Sequence, residues 1–418
     1  MSSAIANALA GLTANNQAIN IVSTNLANMG TSGYKDQQVS FQELVNESAG
    51  GFSSTDGSSG SVIAQSTQQF NQGTLETTGN PYDAAIQGGG FFVVDTAAGQ
   101  QLYTRQGDFD VDSTGHLVTA NGDYVQGWNA LGGTLSTSGA TSDIVLPTNL
   151  VLQPSASTQF TVSANLNANA TVGSASGTFS SPIQVYDAQG VSHTLTVTYT
   201  ETAANTWTYN VTIPAGDLSA ASTTTNPLAT GTLTFDGNGN LLTPPASSGS
   251  VPIAITGLAS GASDMSLNWN LYSSSGTPSL TQYNQASANT ASSQDGVGAG
   301  QLTSMSIGAN GYVVAQFSNG TSQNVAQIAL ASVLNPDSMQ QVDNNSFATT
   351  GATAAPVIGA PSTGARGQIT GGSLETSTVD IATEFTNLLQ YERGYQANSK
   401  VITTEDQLVQ ATISLITA

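Results

Sequence analysis

The 418 residues include no cysteine, and only five are lysine or arginine. Without cysteine there are no disulfides and no thiolate chemistry, a composition suited to a chain that must cross a membrane unfolded without oxidising on the way. The formal net charge of −21 argues against nucleic acid as a partner. No Lys or Arg occurs between Gln106 and Ala365, so the middle of the chain presents an acidic, solvated surface with nothing to pair it. Long apolar runs are also missing. The first charged residue is Lys35, and frequent Asn and Thr interrupt the stretch from Met1 to Tyr34, so neither a cleavable signal peptide nor a membrane span is expected there. Charged residues make up 7%, leaving Gly, Ser, Thr, Asn, Ala and Gln to dominate, as in secreted or surface-assembled all-β proteins. A chain of this length exceeds the usual single core, so two or three domains are expected.

What is present is concentrated at the two ends. Counted from Ile5, heptad positions fall on Leu9, Leu12, Asn16, Ile19, Ser23 and Leu26, and Gly30 and Gly33 follow as stops. At the other end the same rhythm runs through Ile381, Phe385, Leu388, Glu392, Tyr395, Ser399, Ile402, Asp406, Val409, Ile413 and Ile416. Two narrow seams at opposite ends predict helices that pair with each other as a coiled coil. Burial along such seams falls short of the entropy of ordering both segments, so each end is expected to be mobile in the monomer and to order when identical neighbours supply further apolar surface. The apolar members of both sets, with Val22, are the candidate self-assembly residues. Arg393 and Lys400, seven apart, share one stripe of the second helix beside Glu392 and away from most apolar residues. They are candidates for polar contacts with the acidic surface of an adjacent subunit.

From about Gln72 the pattern changes to period two with frequent turns. In "SHTLTVTYTETAANTWTYNVTIP", Leu195, Val197 and Tyr199 alternate with threonines, and Trp207, Tyr209, Val211 and Ile213 alternate again after a short turn, which predicts a hairpin with one buried face. "GDFDVDSTGHLVTANG", "LTFDGNGNLL" and "SIGANGYVVAQFSNG" carry the same strand, Asp/Asn–Gly turn, strand signature. The predicted class is mainly β with α-helical termini. Expected domains are a terminal helical one (1–30 with 376–418), an extended region (31–72), an inner β domain (73–144 with 300–375) and an outer β domain inserted in it (145–299).

Chemistry is sparse by contrast. Asp108, Asp110 and Asp112 resemble the start of a calcium loop but lack the Gly and distal Glu offsets, so a hairpin turn is the better reading and no metal is expected. His116 and His193 lie in different expected domains, which argues against a catalytic or ligand pair. "GGGFF" at 88–92 has no following Lys-Ser/Thr, so close backbone packing accounts for it better than phosphate binding. Neither an enzymatic activity nor a cofactor nor a small-molecule substrate is expected.

The ends are also recognisable. "SAIANALAGLTANNQAINIVSTNLANMGTSGYK" and "GGSLETSTVDIATEFTNLLQYERGYQANSKVITTEDQLVQATISLI" resemble the N- and C-terminal signatures of the rod and hook family of bacterial flagellar axial proteins, with Thr378 where that family usually shows Asn. "GTLETTGNPYDAAIQGGGFFVV" and "LYTRQGDFDVDSTGHLVTANGDYVQGW" look like the shared β domain of that family. The insert, "FSSPIQVYDAQGVSHTLTVTYTETAANTWTYNVTI" followed by "GTLTFDGNGNL", is similar to the outer domain of its hook subunits. The resemblance implies a self-assembling structural subunit whose terminal helices line an inner tube. It implies a curved tube acting as a universal joint between motor and filament, exported through the flagellar type III apparatus without cleavage. The partners it implies are the distal rod, the hook cap, the hook-filament junction proteins and other copies of the chain. Alternatives are a distal rod subunit within the family, or from other classes a secreted adhesin or surface-layer protein or a β-rich hydrolase. Only the axial reading requires matched heptads at both ends.

Overall fold

The computed structural model describes residues 2–44, 61–131, 133–342 and 345–416. Two long helices sit at its ends: α1 (Ser2–Ala27) and α2 (Ile381–Ile416). Among the described residues, everything regular between them is β-strand or one of five short 3-10 turns. The hydroxyls of Ser23 and Thr24 in α1 bond back to the carbonyls of Ile19 and Asn20, which spares these residues a competing partner outside the helix. Asp380 caps α2: its Oδ1 accepts the backbone N–H of Thr383 at 2.7 Å, one of the donors the first turn leaves free.

The chain divides into two compact units. The first comprises Met1–Thr148, Ser304–Ala315 and Ser322–Ala418 and contains both helices. Its sheet runs through Ser322–Ile328, Tyr124–Asn129, Phe91–Asp95, Gln101–Thr104 and Ser346–Ala348. One of its apolar clusters packs Phe91, Val93, Tyr103, Ala331, Met339 and Phe347, with Phe70 edge-on to both Phe91 and Phe347. Two short pairings tie the C-terminal segment to the early chain: Gln368–Gly371 with Ala84–Gln87, and Ser373–Glu375 with Leu75–Thr77. Within the region read as extended, Gln37–Leu44 and Ser61–Gln68 pair antiparallel, Gln37 opposite Gln68.

The second unit comprises Asn149–Thr303 and Gln316–Thr321. It packs two five-stranded sheets on one core that includes Trp207, Trp269, Tyr199, Phe160, Val197 and Leu267. The hairpin of Ser192–Ala203 and Thr206–Thr212 buries Leu195, Val197, Tyr199, Trp207, Tyr209 and Val211 on one face, and the threonines between them point out. Its turn uses Asn205 at φ 57°, a conformation Asn tolerates better than most side chains. The other sheet includes a parallel arrangement, Gln159–Asn167 lying beside Met265–Asn270 and Leu280–Tyr283.

Candidate assembly interface

The helices cross antiparallel and without a register slip. An ideal Cβ on Gly11 would lie 2.6 Å from Asn398 Nδ2, and one on Gly394 would lie 2.6 Å from Asn15 Oδ1, so each glycine makes room for an asparagine of the other helix. At the lower end Asn25 Nδ2 donates to Glu384 Oε1 at 3.2 Å. In each opposed pair the residue numbers sum to 409. Between these points α1 buries Ala14, Ala18, Ile21 and Val22, and Ala8 is buried one turn before them. Small side chains at the contact set how closely two helix axes approach.

This face is not the heptad set read from the sequence. Of those residues Val22 is buried, Leu12, Ile19, Leu26, Leu388, Ile402 and Val409 are half-buried, and Ile5, Leu9, Ile381, Phe385 and Tyr395 are exposed. The side chain of Ile416 lies outside the described residues. Hydrophobic spacing picks out the bulkiest stripe, but a close antiparallel contact selects the smallest one, about a third of a turn away. The stop also differs, since α1 ends at Ala27 and only Gly33 of the two glycines takes a positive φ.

Below the helix pair, residues 31–37 run alongside residues 373–384 in a polar knot. Asn25 is fully buried. Its Oδ1 accepts the Tyr34 hydroxyl at 3.2 Å and the backbone N–H of Gln37 at 3.0 Å, while its Nδ2 reaches the Gln37 carbonyl. Burial, and then the charges of Asp36 and Glu384, push the Tyr34 phenol up to about 12. Thr378 Oγ1 donates to Asp36 Oδ1 at 2.7 Å and accepts the Asp36 N–H. Gly33, at φ 66°, donates its N–H to the Glu375 carbonyl, and a Cβ there would meet the Arg105 carbonyl at 2.6 Å.

The centre of the knot is Glu375, which sequence reasoning missed. Lys35 Nζ lies 2.6 Å from its Oε1 and Arg105 Nη1 lies 3.2 Å from its Oε2, all three side chains being almost wholly buried. The N–H of Gly73 adds a third donor at 2.7 Å. Lys35 also reaches the Asn71 carbonyl, and Arg105 reaches the Gly88 carbonyl with its guanidinium 5.3 Å above the Phe91 ring. Burial pulls the pKa of both bases down, and Glu375 opposes it. Two of five cations thus converge on one carboxylate and bind the N-terminal segment, the sheet and the C-terminal segment together. Their rarity was the available signal, because a chain so poor in bases has reason to place each one.

The other residues singled out are used locally. Asp112 Oδ1 accepts the N–H groups of Thr114 and His116 and closes the hairpin of Phe109–Val111 with Leu117–Thr119. His193, in the second unit, is buried between Asp187 Oδ2 at 3.2 Å and Asp217 Oδ2 at 3.3 Å. Arg393 and Lys400 are exposed on α2. Among the described residues no group of three or more His, Asp or Glu side chains is placed to hold a metal.

A chain whose two ends form one helix pair, knotted to a β unit interrupted by a second β unit, has the organisation of an axial structural subunit. Comparison with known proteins gives the particular family. Three family descriptions match: the flagellar basal body protein FlaE D2 domain over residues 157–297, the flagellar hook protein FlgE/F/G D1 domain over 85–225, and the flagellar basal body rod FlgEFG protein C-terminal over 370–415. The flagellar hook protein FlgE of Salmonella typhimurium is 31% identical over 98% of both chains, and that of Escherichia coli K12 is 30% identical over 99% of this chain and all of its own. That of Rhizobium meliloti is 32% identical over 97% of each. The crystal structure of Helicobacter pylori flagellar hook protein FlgE2 aligns with 72% of this chain and 99% of its own at a TM-score of 0.51 and 15% identity, a likeness of fold. The chain belongs to the flagellar hook protein FlgE family, and it is a structural subunit of the bacterial flagellar hook.

Proposed function

We propose that copies of this chain assemble into a curved helical tube that passes motor torque to the filament as a universal joint. As the family resemblance implies, the helix pair forms the inner wall, residues 73–144 with 300–375 a middle shell and residues 145–299 an outer one. The observation that carries this reading is the outward face of the helix pair. Leu9, Phe385 and Leu389 are each more than half exposed on the paired stretch, and Leu408, Ile413 and Leu415 are as exposed on the part of α2 that this register carries past the end of α1. Covering what remains open of each such side chain contributes about half or more of the roughly 1.5–3 kcal/mol of full burial, so neighbouring copies are the natural source of cover. Self-assembly by Ile5, Leu9, Leu12, Ile19, Val22, Leu26, Ile381, Phe385, Leu388, Tyr395, Ile402, Val409 and Ile416 is retained in this sense, with Val22 acting through the intramolecular pair.

A joint that bends while turning needs strong contacts near its axis and exchangeable ones outside. Apolar helices suit the first, and a polar second unit without Lys or Arg suits the second. The tube meets the distal rod below, the hook cap during growth and the junction proteins above, and the subunit leaves the cell through the flagellar export apparatus without cleavage. Electron microscopy of purified protein after salt-induced polymerisation tests the reading. Curved tubes are expected, whereas straight tubes would indicate a rod subunit and the absence of any tube would overturn the assignment of a joint.

A further inference from the structure

A cavity of about 340 Å³ lies where α1, α2 and the paired strands Gln37–Leu44 and Ser61–Gln68 come together. Oxygen-bearing side chains dominate its wall, among them Asp36, Gln37, Gln69, Asn71, Glu384 and Asn387, and no basic residue lines it. Glu384 is only 7% exposed. Its Oε1 is held by Asn25, but its Oε2 has no hydrogen-bond partner among the described residues. An enclosed carboxylate oxygen without a donor is costly, and the cost is removed by any cation that reaches it. Burial raises the pKa of Glu384, the Asn25 hydrogen bond opposes this, and the charges of Asp36 and Asp380 add to the rise.

The chain has few cations to offer. Lys35 and Arg105 are engaged by Glu375, and Arg366 is held by the carbonyls of Val357 and Ala360 and the hydroxyl of Thr363. Arg393 and Lys400 remain exposed. At 100° per residue, Arg393 lies about 180° and Lys400 about 160° around α2 from Glu384, so neither reaches the cavity of its own chain. One helix therefore carries a cationic face and, on its opposite side, a cavity that calls for a cation.

We propose that the cavity receives the Arg393 guanidinium of a neighbouring copy, which forks onto Glu384 Oε2 and the amide oxygens beside it. This rests on the self-polymerising reading above and names a contact within it. Guanidinium is the fitting group because its planar set of donors matches a carboxylate flanked by carbonyl oxygens, and an ammonium at Lys400 lies two turns further along the helix. With donor and acceptor on opposite faces of α2 the contact is heterologous and head-to-tail, the kind that generates a helical polymer when the rotation between copies does not close a ring.

The absence of cysteine makes the test direct. Asn387→Cys, in the cavity wall, and Ala397→Cys, one turn from Arg393 with the arginine intact, are prepared separately, mixed, polymerised and treated with a short bismaleimide. Linked dimers are expected in the mixed polymer but not in unpolymerised protein or in either variant alone. Separately, Arg393→Gln and Glu384→Gln are each expected to raise the critical concentration for polymerisation about tenfold or more, with Lys400→Gln close to wild type. A merely structural role for Glu384 would also lower the melting temperature of the unpolymerised Glu384→Gln subunit, and none is expected to be lost. If wild type forms tubes while the 387–397 link is absent, or while either Gln variant polymerises like wild type, this contact is overturned and the hook reading stands. If wild type forms no tubes, both fall.

Discussion

At the scale of single residues, the chain concentrates its few charges where they do most. Glu375 holds two buried bases and a backbone N–H. Glu375→Gln leaves Lys35 and Arg105 enclosed without a counter-charge, and a loss of about 3–5 kcal/mol in the stability of the first unit is expected by chemical denaturation. Glu384 behaves in the opposite sense. Its folded pKa lies above the ordinary value of 4.5 because of burial, so its contribution favours the fold below that value and is lost as pH rises through the raised one. Glu384→Gln keeps the oxygen that Asn25 uses and removes that loss, so at neutral pH the unpolymerised variant is expected to melt above wild type in calorimetry. Below the ordinary value the difference should vanish. Lys35 and Arg105 stand out in the sequence as rare charges, but Glu375 is one acid among 26 and lies 340 residues from Lys35, so only folding singles it out.

At the scale of elements, the two helices were legible and their contact face was not. Periodic Leu, Ile and Phe announce the helices, whereas the close contact is made by Gly11, Gly394, Asn15 and Asn398 with alanines between. Gly394→Val places a branched side chain where Asn15 Oδ1 sits 2.6 Å from an ideal Cβ. Asn15 must turn aside, which loosens the pair without separating it, so the critical concentration for polymerisation is expected to rise while the melting transition of the second unit stays unchanged by calorimetry. Because large apolar side chains remain exposed on both helices, their amides in the free subunit are expected to exchange hydrogen orders of magnitude faster than those of the Ser192–Ala203 hairpin. Polymerisation should slow them. That hairpin shows the converse case, since alternation with threonine made its buried face readable residue by residue.

At the scale of the whole molecule, charge and architecture govern assembly. A net charge of −21 makes copies repel one another, so the critical concentration should fall as ionic strength shortens the screening length, measured by sedimentation across a salt series. Replacing residues 149–303 by a short linker removes most of the second unit and leaves the helix pair and the Glu375 knot intact. Tubes are expected still to form, but straight rather than curved under the electron microscope. Loss of all tubes would show that the second unit is needed for polymerisation itself.

The order of elements, the β character of the middle, the helical ends and the hairpin faces follow from the sequence alone, because each depends on a local period or on turn residues a few positions apart. The antiparallel register of the helices, the parallel placement of Gln159–Asn167, the ion cluster at Glu375 and the cavity beside Glu384 were decided only by the tertiary structure. Each joins residues a hundred or more positions apart, and close packing there rewards small or polar side chains that carry no periodic mark.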